Sequence, residues 1–351
     1  MLQRIKNLDT FRAIAAIVVM IGHIELFRFQ KFGSEIFFLL PNGYTAVMMF
    51  FVISGFLITF LLTKEKNKYG TISLKDFYLR RILRIYPVYY LVLVISFFFY
   101  EQIPSIGTIS FNMAMLPNIG RLFDARWATS PQIWSIGVEN SFYIFFPLIL
   151  LVVPNKRIIL FLLIMIIGLV LLPHVIDYVN VRTLQDEKIS LLNNRFFLYN
   201  KFDSLFLGCL VGFAFAENHK ILKFLYNKWL FIVCSAFAVI MWAGRIEIKH
   251  FNDQLMSILF AVVILNVCTN PNMNIPFENR FTKFLGRISY GIYMYHWIVL
   301  LLAFRLLPLT ENVSSCVMLY GFTFVVTIAM AWLSYETYEK IFLNLKTKFE
   351  R

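Results

Sequence analysis

The chain has 351 residues, of which 59% are hydrophobic and 15% charged, with 39 phenylalanines and a mean hydropathy of +0.70. A water-soluble domain of this length has no interior large enough for so much apolar side chain, so the composition excludes a soluble fold and specifies a membrane protein. The formal net charge of +13 would suggest a nucleic-acid partner in a soluble chain, but the positive residues sit where membrane topology puts them, and no nucleic acid is expected.

Apolar stretches of about 20 residues, the length that crosses the hydrocarbon, fall at roughly 8–27, 44–63, 85–100, 134–153, 158–173, 196–216, 229–244, 254–270, 288–307 and 314–333. The pattern predicts an all-α polytopic membrane protein of about ten transmembrane helices, the third, fifth and seventh drawing residues from their flanks. With the N-terminus in the cytoplasm, the inner segments hold 22 of the 33 lysines and arginines, from Arg4, Lys6 and Arg12 to Lys346, Lys348 and Arg351. Several outer ones sit beside acids, as in Arg121/Asp124. That asymmetry places both termini in the cytoplasm. No connection is long enough for a second folded unit, so residues 1–351 read as one membrane domain. The first apolar stretch contains Arg12 and has no small-residue cleavage site, so it stays in the mature protein. The four cysteines lack pair spacing and read as buried apolar residues. His174, His219 and His250 lie in connecting segments without metal-ligand spacing, so they read as solvated loop histidines and no metal is expected.

The first stretch carries Arg12 and, eleven residues later, His23. Eleven steps of about 100° leave the two side chains roughly 20° apart in azimuth and about 16.5 Å apart along the axis, so both lie on one face. An ionisable group inside a membrane helix is costly and marks a functional site. One end of an elongated ligand near Arg12 would bring its other end to His23. The structural alternative is an interfacial arginine that snorkels and a histidine bonded to a neighbouring helix.

Before the third stretch comes Asp76-Phe-Tyr-Leu-Arg80-Arg81-Ile-Leu-Arg84-Ile-Tyr-Pro87. In a helix Arg80, Arg81 and Arg84 cluster on one side at the membrane surface, level with Arg12. Guanidinium forks suit phosphate oxygens, although lipid headgroups attract the same residues. The fourth stretch opens with Trp134-Ser135-Ile-Gly-Val-Glu139-Asn140-Ser141-Phe-Tyr143, in which Ser135, Glu139 and Tyr143 form one polar stripe at i, i+4 spacing. Such a stripe orients a histidine, binds a sugar hydroxyl, balances an arginine, or joins helices. The sixth carries Lys201-Phe-Asp203, read as a local ion pair, with Gly208 and Gly212 marking a close helix contact. The ninth begins Arg287-Ile-Ser289-Tyr290-Gly291-Ile-Tyr293-Met-Tyr295-His296-Trp297, a second intramembrane histidine among aromatics.

In this order and spacing the chain resembles the acyltransferase-3 membrane proteins, which move acetyl or other short acyl groups onto exported carbohydrates and related acceptors. The resemblance runs nearly end to end. It rests on Arg12 and His23 with ten residues between; on Phe50-Phe-Val-Ile-Ser54-Gly55-Phe56-Leu; on Arg81-Ile-Leu-Arg84 before Ile-Tyr-Pro87; on Trp134-Ser135 with Glu139 and Tyr143; on Phe202-Asp203 before Gly208; and on Ser289-Tyr290 with Tyr293 and His296-Trp297. The chain departs from the family where a second acid and a glutamine usually follow the glutamate, since Asn140 and Ser141 stand there, and Lys201 replaces a common arginine. Many relatives carry a C-terminal hydrolase-like domain, whereas this sequence reads as the stand-alone form.

The resemblance implies a membrane O-acyltransferase without a permanently bound cofactor, using acetyl-CoA or another acyl-CoA as donor and a carbohydrate or lipid-linked glycan, such as O-antigen or exopolysaccharide, as acceptor. Arg12, Arg81 and Arg84 are then the donor phosphate site. His23 is the general base or acyl carrier, with Arg12 and Glu139 in the catalytic group. Glu139, Tyr143, Ser135, Asp203 and His296 are the acceptor-side residues, Glu139 and Tyr143 orienting His23 or the acceptor and His296 a second candidate for that task. The implied place is a bacterial inner membrane. The rival readings are a transporter or flippase of a lipid-linked glycan and a non-catalytic subunit of a glycan-assembly complex.

Overall fold

The computed structural model of the chain describes residues 5–33, 43–249 and 251–349, so Arg4, His250 and Arg351 lie outside the described residues. The described residues are mostly helical and contain no strand. The helices are α1 (Leu8–Phe32), α2 (Gly43–Tyr69), α3 (Leu74–Phe97), α4 (Ile106–Met113), α5 (Pro117–Gly120), α6 (Trp134–Val152), α7 (Asn155–Val179) and α8 (Glu187–Tyr199). They continue as α9 (Phe202–Ala216), α10 (Leu222–Leu225), α11 (Lys228–Ala243), α12 (Asn252–Thr269), α13 (Arg280–Arg287), α14 (Ser289–Leu306), α15 (Val313–Ser334) and α16 (Lys340–Lys346).

Each of the ten apolar stretches coincides with helix. Among the described residues seven helical segments are long and apolar enough to cross a membrane, and eight if α13 and α14, bent by 68° at their junction, form one span. The other two expected spans differ in kind. Helix α3 starts at Leu74 and spends its first turns on charged residues, and α11 is apolar but only 16 residues long. The stretch at 196–216 is broken at Asn200 and Lys201 into α8 and α9. His174 lies on the exposed end of α7 instead of in a loop, and His219 in the exposed turn after α9.

Lipid tails are as apolar as leucine, so helices associate in a membrane through close packing and hydrogen bonds. Helix α2 is central, with 78% of its apolar window buried against 11% in the segment containing α7, which faces outward. Glycines set the α2–α9 contact. A Cβ added at Gly212 would sit 2.9 Å from Phe56 Cα, and one at Gly208 2.9 Å from Phe56 N, closer than any side chain tolerates. The Gly208-xxx-Gly212 spacing puts both on the face that meets α2, as the sequence predicts. A second close approach, Gly22 on Gly43, seats the start of α2 beside His23; a Cβ on Gly22 would lie 2.9 Å from Gly43 Cα.

Hydrogen bonds gather the basic segments at one end. Asn7 donates to Val267 O at 2.8 Å and Ile275 O at 3.2 Å, Lys66 donates to Leu150 O at 2.5 Å, and Asn67 donates to Glu217 at 2.5 Å. Arg80 donates to Phe349 O at 2.6 Å, which brings the segment after α16 to the same end. The grouping is the one that the charge asymmetry assigns to the cytoplasm. The cysteines are free, three of them buried, as expected of small apolar residues.

Candidate active site

A cavity of about 100 Å³ opens at the basic end among α1, α2, α3, α6 and α14. Arg12, Arg81 and Arg84 line it together with Ser54, Ser135, Glu139, Tyr143 and Tyr293. Glu139 is held by both oxygens: Oε1 accepts from Ser54 Oγ at 2.7 Å and Oε2 from the Tyr143 hydroxyl at 2.8 Å. Ser54 presents this hydroxyl because its neighbour Gly55 faces α9 on the other side of α2. The Arg81 guanidinium lies 5.5 Å over the Tyr143 ring, its Nε buried and without a hydrogen-bond partner among the described residues. Arg12 pairs with Asp9 at 2.9 Å. Three guanidiniums against one lining carboxylate make the chamber a trap for anions.

Arg80 is not part of it. Although one residue from Arg81, it turns to Glu65 at 3.3 Å and to the Phe349 carbonyl. The expected cluster of three arginines is therefore a pair, joined by Arg12 from α1.

His23 forms a second centre. Its Nδ1 lies 2.7 Å from Nε2 of His296, and the two rings are parallel within 3°. The Trp297 ring stands edge-on to His23, centroids 4.9 Å apart at 79°, and its buried indole N–H has no acceptor among the described residues. Tyr293 stands between the two centres, lining the cavity on one side and lying 5.8 Å from the His296 ring on the other. Its hydroxyl bonds Ser135 Oγ at 2.6 Å and donates to Gln132 O at 2.9 Å. Of the two tasks expected of Glu139 and Tyr143, orienting His23 or orienting the acceptor, the described contacts do not include the first. Their polar atoms bind each other and Ser54, and the residue on His23 is His296.

A family model described as an acyltransferase domain matches residues 5–336. The chain belongs to the acyltransferase-3 family. Among curated relatives it is similar to a peptidoglycan O-acetyltransferase, OatA, of Listeria monocytogenes, at 26% identity over 92% of this chain and 54% of that protein. It is also similar to an O-acetyltransferase, OatA, of Staphylococcus aureus, at 27% over 84% of this chain and 50% of that protein. The chain thus spans about half the length of the curated relatives it matches. No solved structure matches.

On this acyltransferase-3 scaffold the remaining candidates lie toward the far end. Helix α9 ends at the basic side, where Glu217 meets Asn67, so Lys201 and Asp203 at its start belong to the opposite half. The expected local pair between them is replaced by contacts across helices: Lys201 Nζ bridges to Asp253 at 2.8 Å, and Asp203 accepts from Gln254 at 2.6 Å. Lys201, Asp203 and Gln254 line a cavity of about 280 Å³ with Asn200 and His174. The Tyr44 hydroxyl, beside the Gly22–Gly43 contact, donates to Leu198 O at 3.2 Å and so joins this cavity wall to the level of His23. Arg121 does not pair with Asp124, which bonds Arg195 at 2.8 Å; its guanidinium lies 4.9 Å over Tyr199 and 5.7 Å over Trp134. The sequence reading did not single out Ser54 as a cavity residue, nor Arg121 as the cation stacked on Tyr199 and Trp134. A hydroxyl inside an otherwise apolar segment was the available signal for Ser54; nothing local marks Arg121. Among the described residues there is no cluster of side chains that would hold a metal.

Proposed function

We propose that the chain transfers an acetyl or other short acyl group from cytoplasmic acyl-CoA to a hydroxyl of an exported or lipid-linked glycan in a bacterial inner membrane. The observation that carries this reading is the pair of centres joined by α1. An arginine chamber faces the basic end, and a histidine lies about 16.5 Å deeper on the same helix face. The chamber is too small for a nucleotide but takes an extended chain. The donor's phosphates stay at its mouth on Arg12, Arg81 and Arg84, and the thioester arm passes Tyr293 toward His23.

At His23 two routes balance. As a general base, the free imidazole nitrogen takes the acceptor's hydroxyl proton while that oxygen bonds the thioester carbon and CoA leaves as thiolate. As an acyl carrier, the same nitrogen bonds the carbon and thiolate leaves; the hydroxyl oxygen then bonds the acyl carbon as the carbon–nitrogen bond breaks, its proton passing to the CoA thiolate. In both, the Trp297 N–H, without a partner among the described residues, is the donor available to the carbonyl oxygen as it becomes negative. The far-half cavity with Asp203 and Gln254 offers the carboxylate and amide groups that bind sugar hydroxyls, so the acceptor enters from that side, opposite the donor. O-antigen, exopolysaccharide and, from the name of the Listeria relative, peptidoglycan are the acceptor classes to try.

Membranes containing the chain, given labelled acetyl-CoA and a lipid-linked or polymeric glycan, should move label to the glycan only in the wild type and not in His23→Gln. Glycan that crosses the bilayer without acquiring label, and without need of CoA, would establish the transporter reading instead.

A further inference from the structure

We infer that His296 is a positioning residue that fixes the tautomer of His23, leaving Nε2 of His23 as the nitrogen that meets the substrate. The inference deepens the proposed transferase reading and rests on it for its catalytic meaning, but the hydrogen-bond chain behind it does not.

The chain begins at a carbonyl. His296 Nδ1 lies 3.3 Å from the oxygen of Ile292, one turn back on α14. A carbonyl oxygen only accepts, so His296 Nδ1 carries a proton. His296 is fully buried, and its described hydrogen-bond partners are the backbone of Ile292 and Tyr293 and the ring of His23, with no carboxylate among them. A second, charged-state proton on a ring so enclosed has nothing to balance it. Its Nε2 is therefore a lone pair. That lone pair faces His23 Nδ1 at 2.7 Å, so His23 Nδ1 is the donor and His23 Nε2 is unprotonated.

The order Ile292 carbonyl, His296, His23 thus performs what an oriented carboxylate does for a catalytic histidine elsewhere: it holds the ring and selects the nitrogen. As His23 takes a proton or an acyl group at Nε2, the positive charge that develops is shared through Nδ1–H with the lone pair of His296. A histidine suits this buried place better than a carboxylate, since it brings no permanent charge into the membrane interior. The near-parallel rings and the edge of Trp297 keep the pair from rotating out of register.

The test is nitrogen NMR on full-length protein in lipid with labelled histidine, the His23 signals assigned by their loss in His23→Gln. Wild type should show a protonated Nδ1 and an unprotonated Nε2 on His23. In His296→Ala this preference should collapse to a mixture, with turnover falling roughly 10- to 100-fold, the worth of one charge-assisted hydrogen bond, and donor KM unchanged. His296→Gln, whose side-chain oxygen can accept at the Nε2 position, should restore both the tautomer and most of the turnover. Wild-type His23 protonated on Nε2, or a tautomer unmoved by His296→Ala, would overturn the inference whatever the enzyme's reaction. Should the tautomer behave as described while no acyl transfer occurs in wild type, the failure belongs to the proposed function and not to the histidine pair.

Discussion

The arginine chamber and the histidine pair share two helices, α1 and α14, yet they are built in opposite ways. The chamber gathers charge at the basic end of the bundle, and its carboxylate is tied to neighbouring hydroxyls while Arg12 pairs with Asp9, which leaves Arg81 and Arg84 as its principal cations. The histidine pair is flanked by Trp297 and Tyr293, and each of its described hydrogen bonds serves to orient one ring. The first arrangement suits holding a distant anionic part of a ligand, and the second suits acting on a neutral reacting group. Under the proposed function, the difference means that binding and chemistry are divided along one helix, with the Tyr293 ring at the boundary.

That division is broken most severely from the deep side. His23→Gln keeps a hydrogen-bonding side chain but removes the base, so transfer per inserted molecule should fall by about 10²- to 10⁴-fold, with acyl-CoA affinity retained. Assay of transfer and donor binding on the same membranes checks it; near-normal turnover would leave His23 a packing residue. From the chamber side, Arg81→Ala and Arg84→Ala should each weaken donor binding by about 1.5 to 3 kcal/mol, the range for a charge-assisted contact. Arg84→Lys should rescue only in part, because an ammonium lacks the bidentate fork.

Much of this was legible in the chain and some was not. Hydropathy locates helix in all ten places, and the eleven-residue spacing puts Arg12 and His23 on one face, because both depend on neighbours along a single helix. The Gly208 and Gly212 contact was legible for the same reason. What failed depends on partners far away in sequence. Arg80 leaves the cluster because Glu65 and the Phe349 carbonyl wait on its side, and Lys201 passes over Asp203 for Asp253 on another helix. The described partners of Glu139 are Ser54, 85 positions away, and Tyr143, while the described hydrogen-bond partner of His23 is His296 on α14. Helix α3 begins earlier than its apolar stretch, since Ser73 caps charged turns that a hydropathy window passes over.

Smaller effects sharpen the comparison by touching neither centre. Gly212→Val would push a branched side chain into Phe56 on α2 and should cost about 1 to 3 kcal/mol of folding stability. The yield of folded protein in a detergent-resistance assay should drop while activity per folded molecule holds. Arg80→Ala is the smallest change: it lies next to Arg81 but outside the chamber, so donor affinity should stay within about twofold, only a screened longer-range attraction being lost.

The central claim is tested most directly by measuring acetyl-CoA affinity and single-turnover transfer side by side in His23→Gln and in the Arg81→Ala/Arg84→Ala double variant. The division of labour predicts that the histidine variant binds donor like wild type but transfers about 10²- to 10⁴-fold more slowly, while the double arginine variant binds poorly and, at saturating donor, transfers at close to the wild-type rate. Binding and transfer lost together in both variants would contradict it.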